Sequence, residues 1–105
     1  MNEILSFPHD LVFDNSGILF LSTDEGINKT AISGVISTFV TGNYYGMSFD
    51  FKGNLFTLKF ENTLSSIDKI NVYRNAIPFL KVDFFAGDLF FDKKNSDLFV
   101  NDFLD

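Results

Sequence analysis

The chain has 105 residues, 46% of them hydrophobic, and carries a formal net charge of −6 with no cysteine. This length and apolar content exclude a disordered chain and predict one folded domain. The acidic balance argues against a nucleic-acid partner, because phosphate contacts need clustered Lys and Arg, and the absence of cysteine excludes disulfides.

The first ten residues, MNEILSFPHD, contain neither a basic segment nor a long apolar run, so they do not fit a secretory signal. No apolar stretch reaches the roughly 18 residues that a membrane-spanning helix needs. We therefore expect no membrane partner. The expected location is cytoplasmic by default, or extracytoplasmic if the chain is a fragment of a longer protein.

One pattern occurs three times along the chain, as LVFDNSGILFLS at 11–22, MSFDFKGNLFTL at 47–58 and LFFDKKNSDLFV at 89–100. The copies align on a Phe-Asp pair that begins at Phe13, Phe49 and Phe91, with steps of 36 and 42 residues. In each copy a second Phe follows after seven or eight residues, eight where the turn is one residue longer. Fixed periods of this length indicate a solenoid or a propeller.

Each copy predicts a β-hairpin. An alternating strand leads into a turn at residues 14–17 in the first copy and 50–53 in the second. Asp at the first turn position can accept hydrogen bonds from backbone N–H groups, and Gly at the fourth tolerates a positive φ. The returning strand is nearly all apolar, which suits a strand covered on both faces.

A second hairpin follows each of the first two copies, turning at Ser33-Gly34 and at Arg74-Asn75. Pro78 cannot donate a ladder hydrogen bond, so its strand is expected at a sheet edge. Phe39 and Phe79 fall at equivalent places. Because β-branched and aromatic residues dominate and turn residues recur every eight to twelve positions, we predict strands rather than helices.

Four antiparallel strands in each unit of about 40 residues match one blade of a β-propeller. The predicted fold is therefore all-β, a single partial β-propeller domain. Its parts are residues 1–9 (an outer strand at 3–7 and a loop into the first blade), 10–45 (blade one), 46–86 (blade two) and 87–105 (a half blade).

The segment PHDLVFDNSGILFLSTDEGINK, followed by GVISTFVTG, resembles a blade of the NHL-repeat family. The shared pattern is an aliphatic-x-Phe-Asp strand, a Gly turn, a returning apolar strand, a polar loop and a G-x-V-S-T-F-like strand. The resemblance covers about Phe7 to Asp102 and extends to the senescence-marker/gluconolactonase group and to streptogramin and peptidyl-amidoglycolate lyases. It implies a propeller and leaves the activity open, because one fold hosts many functions.

The blades are too few for a closed ring. About two and a half are predicted, whereas closed propellers typically have about 4–8. An open array exposes an apolar face at each end. Three interpretations remain: a part of a longer protein, a half-propeller completed by self-association, or a small open β-array.

In propellers, the loop before the first strand and the loop between the second and third strands line the face where ligands bind. Here the first kind of loop comprises SFPHD, GNYYG and DFFAGD. The candidate ligand-binding residues on these loops are His9, Asp10, Asp24, Glu25, Tyr44, Tyr45, Glu61, Asn62, Asn101 and Asp102.

Each candidate has a plainer explanation beside the functional one. His9 is the only histidine, so one chain cannot build a His-based zinc triad, and a lone loop histidine is more often a structural hydrogen-bonding group. The carboxylates and amides suit a hard cation such as calcium, yet solvated loop ends explain them too. The pairs Tyr44-Tyr45 and Phe84-Phe85 fit packing between blades better than ligand contact, unless the rings are exposed.

The expected function is a non-catalytic binding or scaffold module for a partner protein or a small molecule. The alternative is a fragment of a metal-assisted lactonase or lyase, which would use a divalent cation as its cofactor. The gluconolactonase group holds such a metal with Glu, Asn and Asp, but its motifs do not match here residue by residue. No residue is therefore assigned a catalytic role.

Overall fold

A computed structural model describes residues 8–61, 64–82, 86–92, 94 and 96–102. Within these ranges the chain forms ten strands and no helix, so no helix there could cross a membrane. The strands are β1 (Pro8–Phe13), β2 (Leu19–Thr23), β3 (Gly26–Thr30), β4 (Ile36–Thr41), β5 (Tyr44–Phe49), β6 (Leu55–Glu61), β7 (Leu64–Ile70), β8 (Ala76–Lys81), β9 (Ala86–Asp92) and β10 (Asp97–Asp102). The strand predicted at residues 3–7 lies outside the described residues.

The strands form three antiparallel sheets in which each strand pairs with its neighbour in sequence. Sheet 1 has the order β1-β2-β3-β4, sheet 2 the order β5-β6-β7-β8, and sheet 3 contains β9 and β10. The predicted all-β class is confirmed. Pro78 lies in β8, an outer strand of sheet 2, as its missing N–H requires.

The turns follow the predicted chemistry. One carboxylate oxygen of Asp14 accepts two backbone N–H bonds of 2.8 and 2.9 Å, and Asp50 accepts two of 2.9 and 2.8 Å. Gly17 and Gly53 have φ angles of 86° and 89°. In the third turn, one residue longer, Ser96 takes the positive φ at 61° and donates its N–H to the carbonyl of the leading aspartate at 2.8 Å.

The core lies between successive sheets. We call the face of a sheet that packs on the following sheet its trailing face, and the opposite face its leading face. Phe20 on the trailing face of sheet 1 meets Phe49 on the leading face of sheet 2, with ring centroids 5.0 Å apart. Phe56 on the trailing face of sheet 2 stacks on Phe91 of sheet 3 at 5.6 Å.

The two interfaces repeat further side chains. Phe39 packs edge-on against Phe20 at 5.1 Å, and Phe79 packs edge-on against Phe56 at 5.0 Å, which confirms their predicted equivalence. An ammonium group lies over each central ring, at 6.0 Å in sheet 1 and 5.8 Å in sheet 2. The sequence repeat is thus also a repeat of packing.

The first strands of the three sheets lie next to one another, with β5 between β1 and β9. The Asp10 carboxylate accepts the backbone N–H of Met47 at 3.0 Å, and the Ser48 hydroxyl accepts that of Phe91 at 2.9 Å. These bonds tie each first strand to the next. All three sheets therefore present the same end of their hairpins on one side of the molecule.

The structure corrects the predicted start of the first strands. Residues 8–10, 44–46 and 86–88 were expected in loops, but they belong to β1, β5 and β9. The reason is a shift of register near the start of each pairing, which lets the strand continue past an irregular residue. Sheet 3 has a corresponding shift at the Ala86 end of its ladder.

Candidate ligand-binding site

A cleft of about 240 Å³ opens where the first strands of sheets 1 and 2 begin. β1 and β5 contribute one residue each, and the turn after β2, the loop before β5 and the end of β6 contribute the others. The lining residues are His9, Asp24, Asn43, Tyr45 and Phe60. Three of them, His9, Asp24 and Tyr45, were predicted from the sequence.

The cleft is built from equivalent positions of two repeats. His9 and Tyr45 each precede the aligned Phe of their first strand by four residues. Asp24 and Phe60 each follow the aligned Phe of their second strand by four residues. Sheet 1 therefore offers a polar pair at the place where sheet 2 offers an aromatic pair.

The irregular pairing at the start of β1 and β5 positions these side chains. The ladder of β1 and β2 skips His9, and that of β5 and β6 skips Tyr45. A residue left out of the ladder in this way turns away from regular alternation, which is why bulges often aim side chains at binding sites. Both skipped residues face the same cleft.

His9 and Asp24 form a close pair, with 2.5 Å between imidazole Nε2 and carboxylate Oδ1. The imidazole is half-buried and the carboxylate is exposed. The contact holds the ring in one orientation and places negative charge at the rim of the cleft. Because the pair is open to solvent, its contribution to stability is about 0–1 kcal/mol.

Tyr45 forms the aromatic wall. Its hydroxyl donates to the Ala86 carbonyl at 3.1 Å and lies 2.6 Å from the hydroxyl of Ser65, which in turn accepts the Ala86 N–H. Its ring meets Phe60 edge-on at 6.3 Å. Burial raises the pKa of Tyr45, so the phenol remains protonated at neutral pH. The fixed hydroxyl joins sheets 2 and 3 and leaves the ring as a rigid surface.

The structure places three of the predicted residues away from the cleft. Tyr44 is buried in the core between sheets 1 and 2, and its hydroxyl donates to Asp68 at 2.9 Å. Asp10 joins β1 to β5, and burial raises the pKa of its carboxyl group. Glu25 is exposed in the turn after β2, with its N–H bonded to the Thr23 hydroxyl.

The other predicted residues cannot be assigned to the cleft. Glu61 ends β6, and Asn101 and Asp102 end β10, but their side chains are not described, and Asn62 and Phe84-Phe85 lie outside the described residues. Within the described ranges, no three His, Cys, Asp or Glu side chains are grouped so that they could hold a metal ion. The calcium site stays a prediction.

The sequence matches no known protein family, and no curated protein is significantly similar to it. The function is therefore argued from the chemistry of the cleft. An imidazole, a carboxylate and an amide face two aromatic rings across the cleft.

Two lining residues, Asn43 and Phe60, were not among the predicted site residues. Phe60 follows Leu58 by two residues along β6, so the two share a face of the strand, and it follows the aligned Phe by four residues. This spacing could have indicated Phe60 as a site residue. Asn43 directly precedes the Tyr pair in GNYYG. No periodic signal distinguishes it from the other loop amides.

We expect Tyr44→Phe to lower the free energy of unfolding by about 1.5–3 kcal/mol at neutral pH, because the buried Asp68 carboxylate loses a hydrogen bond. Burial, reinforced by Asp68, raises the pKa of Tyr44 above its usual 10.0. The folded state therefore favours the protonated phenol, and stability present below about pH 10 is lost as the pH rises further.

Urea unfolding of the wild type and of Tyr44→Phe, at several pH values between about 7 and 11, measures both effects. The variant is expected to lose less stability above pH 10 than the wild type. Tyr73→Phe, in an exposed turn, is the control and should follow the wild type. If Tyr44→Phe loses as much stability above pH 10 as the wild type does, Tyr44 is not the cause of that loss.

Proposed function

We propose that the protein is a non-catalytic binding module with NHL-like β-propeller blades, and that the cleft beside His9 and Asp24 holds its ligand. Three features support the blade interpretation. The four-stranded sheets run in chain order, successive sheets pack through equivalent residues, and their first strands lie side by side, as blades do around an axis.

The observation that carries the binding proposal is the composition of the cleft. A polar pair from one repeat faces an aromatic pair from the next across about 240 Å³. This volume lies below the roughly 300–1,000 Å³ of most small-molecule pockets, so it suits one chemical group rather than a large ligand. Such a group is a partner protein's side chain or a single sugar ring.

The ligand chemistry follows from the walls. The aromatic face of Tyr45 can pack on an apolar surface, and Asp24 with His9 can bond to hydroxyl or amino groups. The exposed carboxylate and the net charge of −6 favour neutral or cationic groups over anionic ones. We therefore propose a ligand with one apolar face and a hydroxyl or cationic edge.

The sole histidine makes a direct test possible, since its ring signals in an NMR spectrum report on the cleft alone. We expect titration with a panel of monosaccharides and N-acetyl amino-acid amides to shift the His9 ring signals for the matching class. Asp24→Asn and Phe60→Ala should each weaken that binding about tenfold, or 1.4 kcal/mol. Glu25→Gln, one residue from Asp24 but outside the cleft, is the matched control. A panel without any effect on His9, or equal binding by all variants, would contradict the proposal.

The alternative, a metal-assisted lactonase or lyase, is tested by metal addition. Under the binding proposal, calcium, zinc and manganese leave the melting temperature unchanged. A resident metal at 100 times its Kd would add about 2.7 kcal/mol, which is a shift of more than about 5 °C for a domain of this size. A rise specific to one divalent ion and lost in Asp24→Asn would support the enzyme instead.

A further inference from the structure

The leading face of sheet 1 exposes residues whose equivalents are buried. Phe13 is 58% exposed, whereas its counterparts Phe49 and Phe91 are 5% and 9% exposed. Leu11 likewise is 57% exposed, and its counterpart Met47 is buried. In sheets 2 and 3 this face packs on the preceding sheet. In sheet 1 the same surface is open.

The trailing face of sheet 3 shows the complementary pattern. Phe99 is 56% exposed, while its counterparts Phe20 and Phe56 are each 4% exposed beneath the following sheet. Phe90 pairs with Phe99 across the two strands and is also exposed. A groove of about 400 Å³ lies beside these rings. This face is the half-interface that sheets 1 and 2 present to their successors.

The two open faces are therefore the two halves of one interface that the chain already forms twice. Phe13 occupies the position that Phe49 and Phe91 hold in the later repeats. Phe99 occupies the position of their partners, Phe20 and Phe56. Two strands are enough to make this contact, because the two strands of sheet 3 pack on the trailing face of sheet 2, where Phe56 and Ile67 are buried.

We propose that copies of this chain associate head to tail, the leading face of sheet 1 in one copy packing on the trailing face of sheet 3 in another. The contact continues the stacking of sheets from one chain into the next. It goes beyond the binding proposal and does not depend on what the cleft holds. Each copy contributes both surfaces, so the association closes into a ring or continues as an open polymer.

Charge disfavours the symmetric arrangement in which two copies join through the same face of sheet 3. Asp92 follows Phe90 by two residues along β9 and so shares its face, and Asp97 pairs with Asp92 across the sheet. Two such faces in contact would bring their carboxylates together. The leading face of sheet 1 carries Leu11 and Phe13 on β1 and pairs them with leucines of β2, so it offers apolar side chains to Phe90 and Phe99.

A complementation experiment tests the head-to-tail contact. Phe13→Asp blocks one face and Phe99→Asp the other, and both sites are more than half exposed in the single chain, so each variant should fold alone. Leu11→Asp and Phe90→Asp are a second pair for the same two faces. Ile32→Asp, in the exposed turn between β3 and β4, is the matched control. Mass is measured by light scattering after size exclusion, and folding by circular dichroism.

We expect the wild type and Ile32→Asp to have the mass of two or more chains, and each face variant alone to have the mass of one. Mixed in equal amounts, Phe13→Asp and Phe99→Asp should form a pair of chains, since each retains the face that the other has lost. A wild type with the mass of one chain, a mixture that stays at one chain, or assembly by either face variant alone would overturn the proposal. Aggregation unchanged by all variants would overturn it as well.

Discussion

Phe56→Ala is expected to lower the free energy of unfolding by about 3–5 kcal/mol, the range for removing a buried phenylalanine from a core. Phe56 is buried between sheets 2 and 3, stacked on Phe91 and met edge-on by Phe79. Truncation removes the surface that both neighbours pack against. Small domains have about 5–15 kcal/mol in total, so much of the stability depends on this ring.

Urea unfolding followed by circular dichroism measures the loss. Phe99→Ala is the matched control, because it truncates the equivalent ring where that ring is 56% exposed. At concentrations low enough to keep the chains apart, the control should cost less than about 1 kcal/mol. Similar losses in the two variants would show that sheet 3 does not cover Phe56 as described.

Gly26→Ala is expected to cost about 3 kcal/mol or more, because the added methyl group has no space. A Cβ at this position would lie 2.4 Å from the Val40 carbonyl oxygen and 3.0 Å from the Thr41 Cα. Both atoms belong to the backbone of β4, which pairs with Gly26 at the start of β3. Relief therefore requires the two strands to separate.

Gly46→Ala provides the comparison. Its nearest neighbours are the ends of two side chains, Asp88 Oδ1 and Leu58 Cδ1, each 3.0 Å from the added Cβ. Side-chain ends can move by a few tenths of an ångström, so we expect a smaller loss than for Gly26→Ala in the same urea measurement. The reverse order would contradict the close approach of β3 and β4.

The hairpins could be predicted from the sequence because their causes are local. The Asp-x-x-Gly turns at Asp14 and Asp50 are closed by bonds within four residues, and the repeated Phe positions set which face of each strand is covered. Pro78 marked an outer strand for an equally local reason, its missing donor. These features need no information from the rest of the chain.

The starts of the first strands could not be predicted in this way. The register shifts that carry His9 and Tyr45 out of their ladders occur where β1 and β5 are tied to a neighbouring sheet, as in the Asp10–Met47 bond across 37 positions. The alternation of apolar and polar residues along a strand does not depend on such a tertiary contact, so it cannot predict the register shift. The predicted loops were therefore too long by about three residues.

The cleft, too, could be predicted only where its causes are local. His9, Asp24 and Tyr45 were identified as loop-face candidates because they sit where hairpins of one repeat end, and the structure brings them together. Tyr44 lies in the core and Tyr45 lines the cleft because they bond to partners in different strands. Tyr44 bonds to Asp68, and Tyr45 bonds to Ala86. Adjacent identical residues give no sequence signal for that choice.

Successive sheets stack through equivalent phenylalanines, and aromatic NOE spectroscopy on protein labelled at phenylalanine can detect this contact between rings. We expect cross-peaks between the rings of Phe20 and Phe49 and between those of Phe56 and Phe91, whose centroids lie 5.0 and 5.6 Å apart. Assignment follows from loss of the peaks in single Phe→Leu variants. A folded protein with neither cross-peak would contradict the stacking of the sheets, and with it both the blade interpretation and the head-to-tail contact.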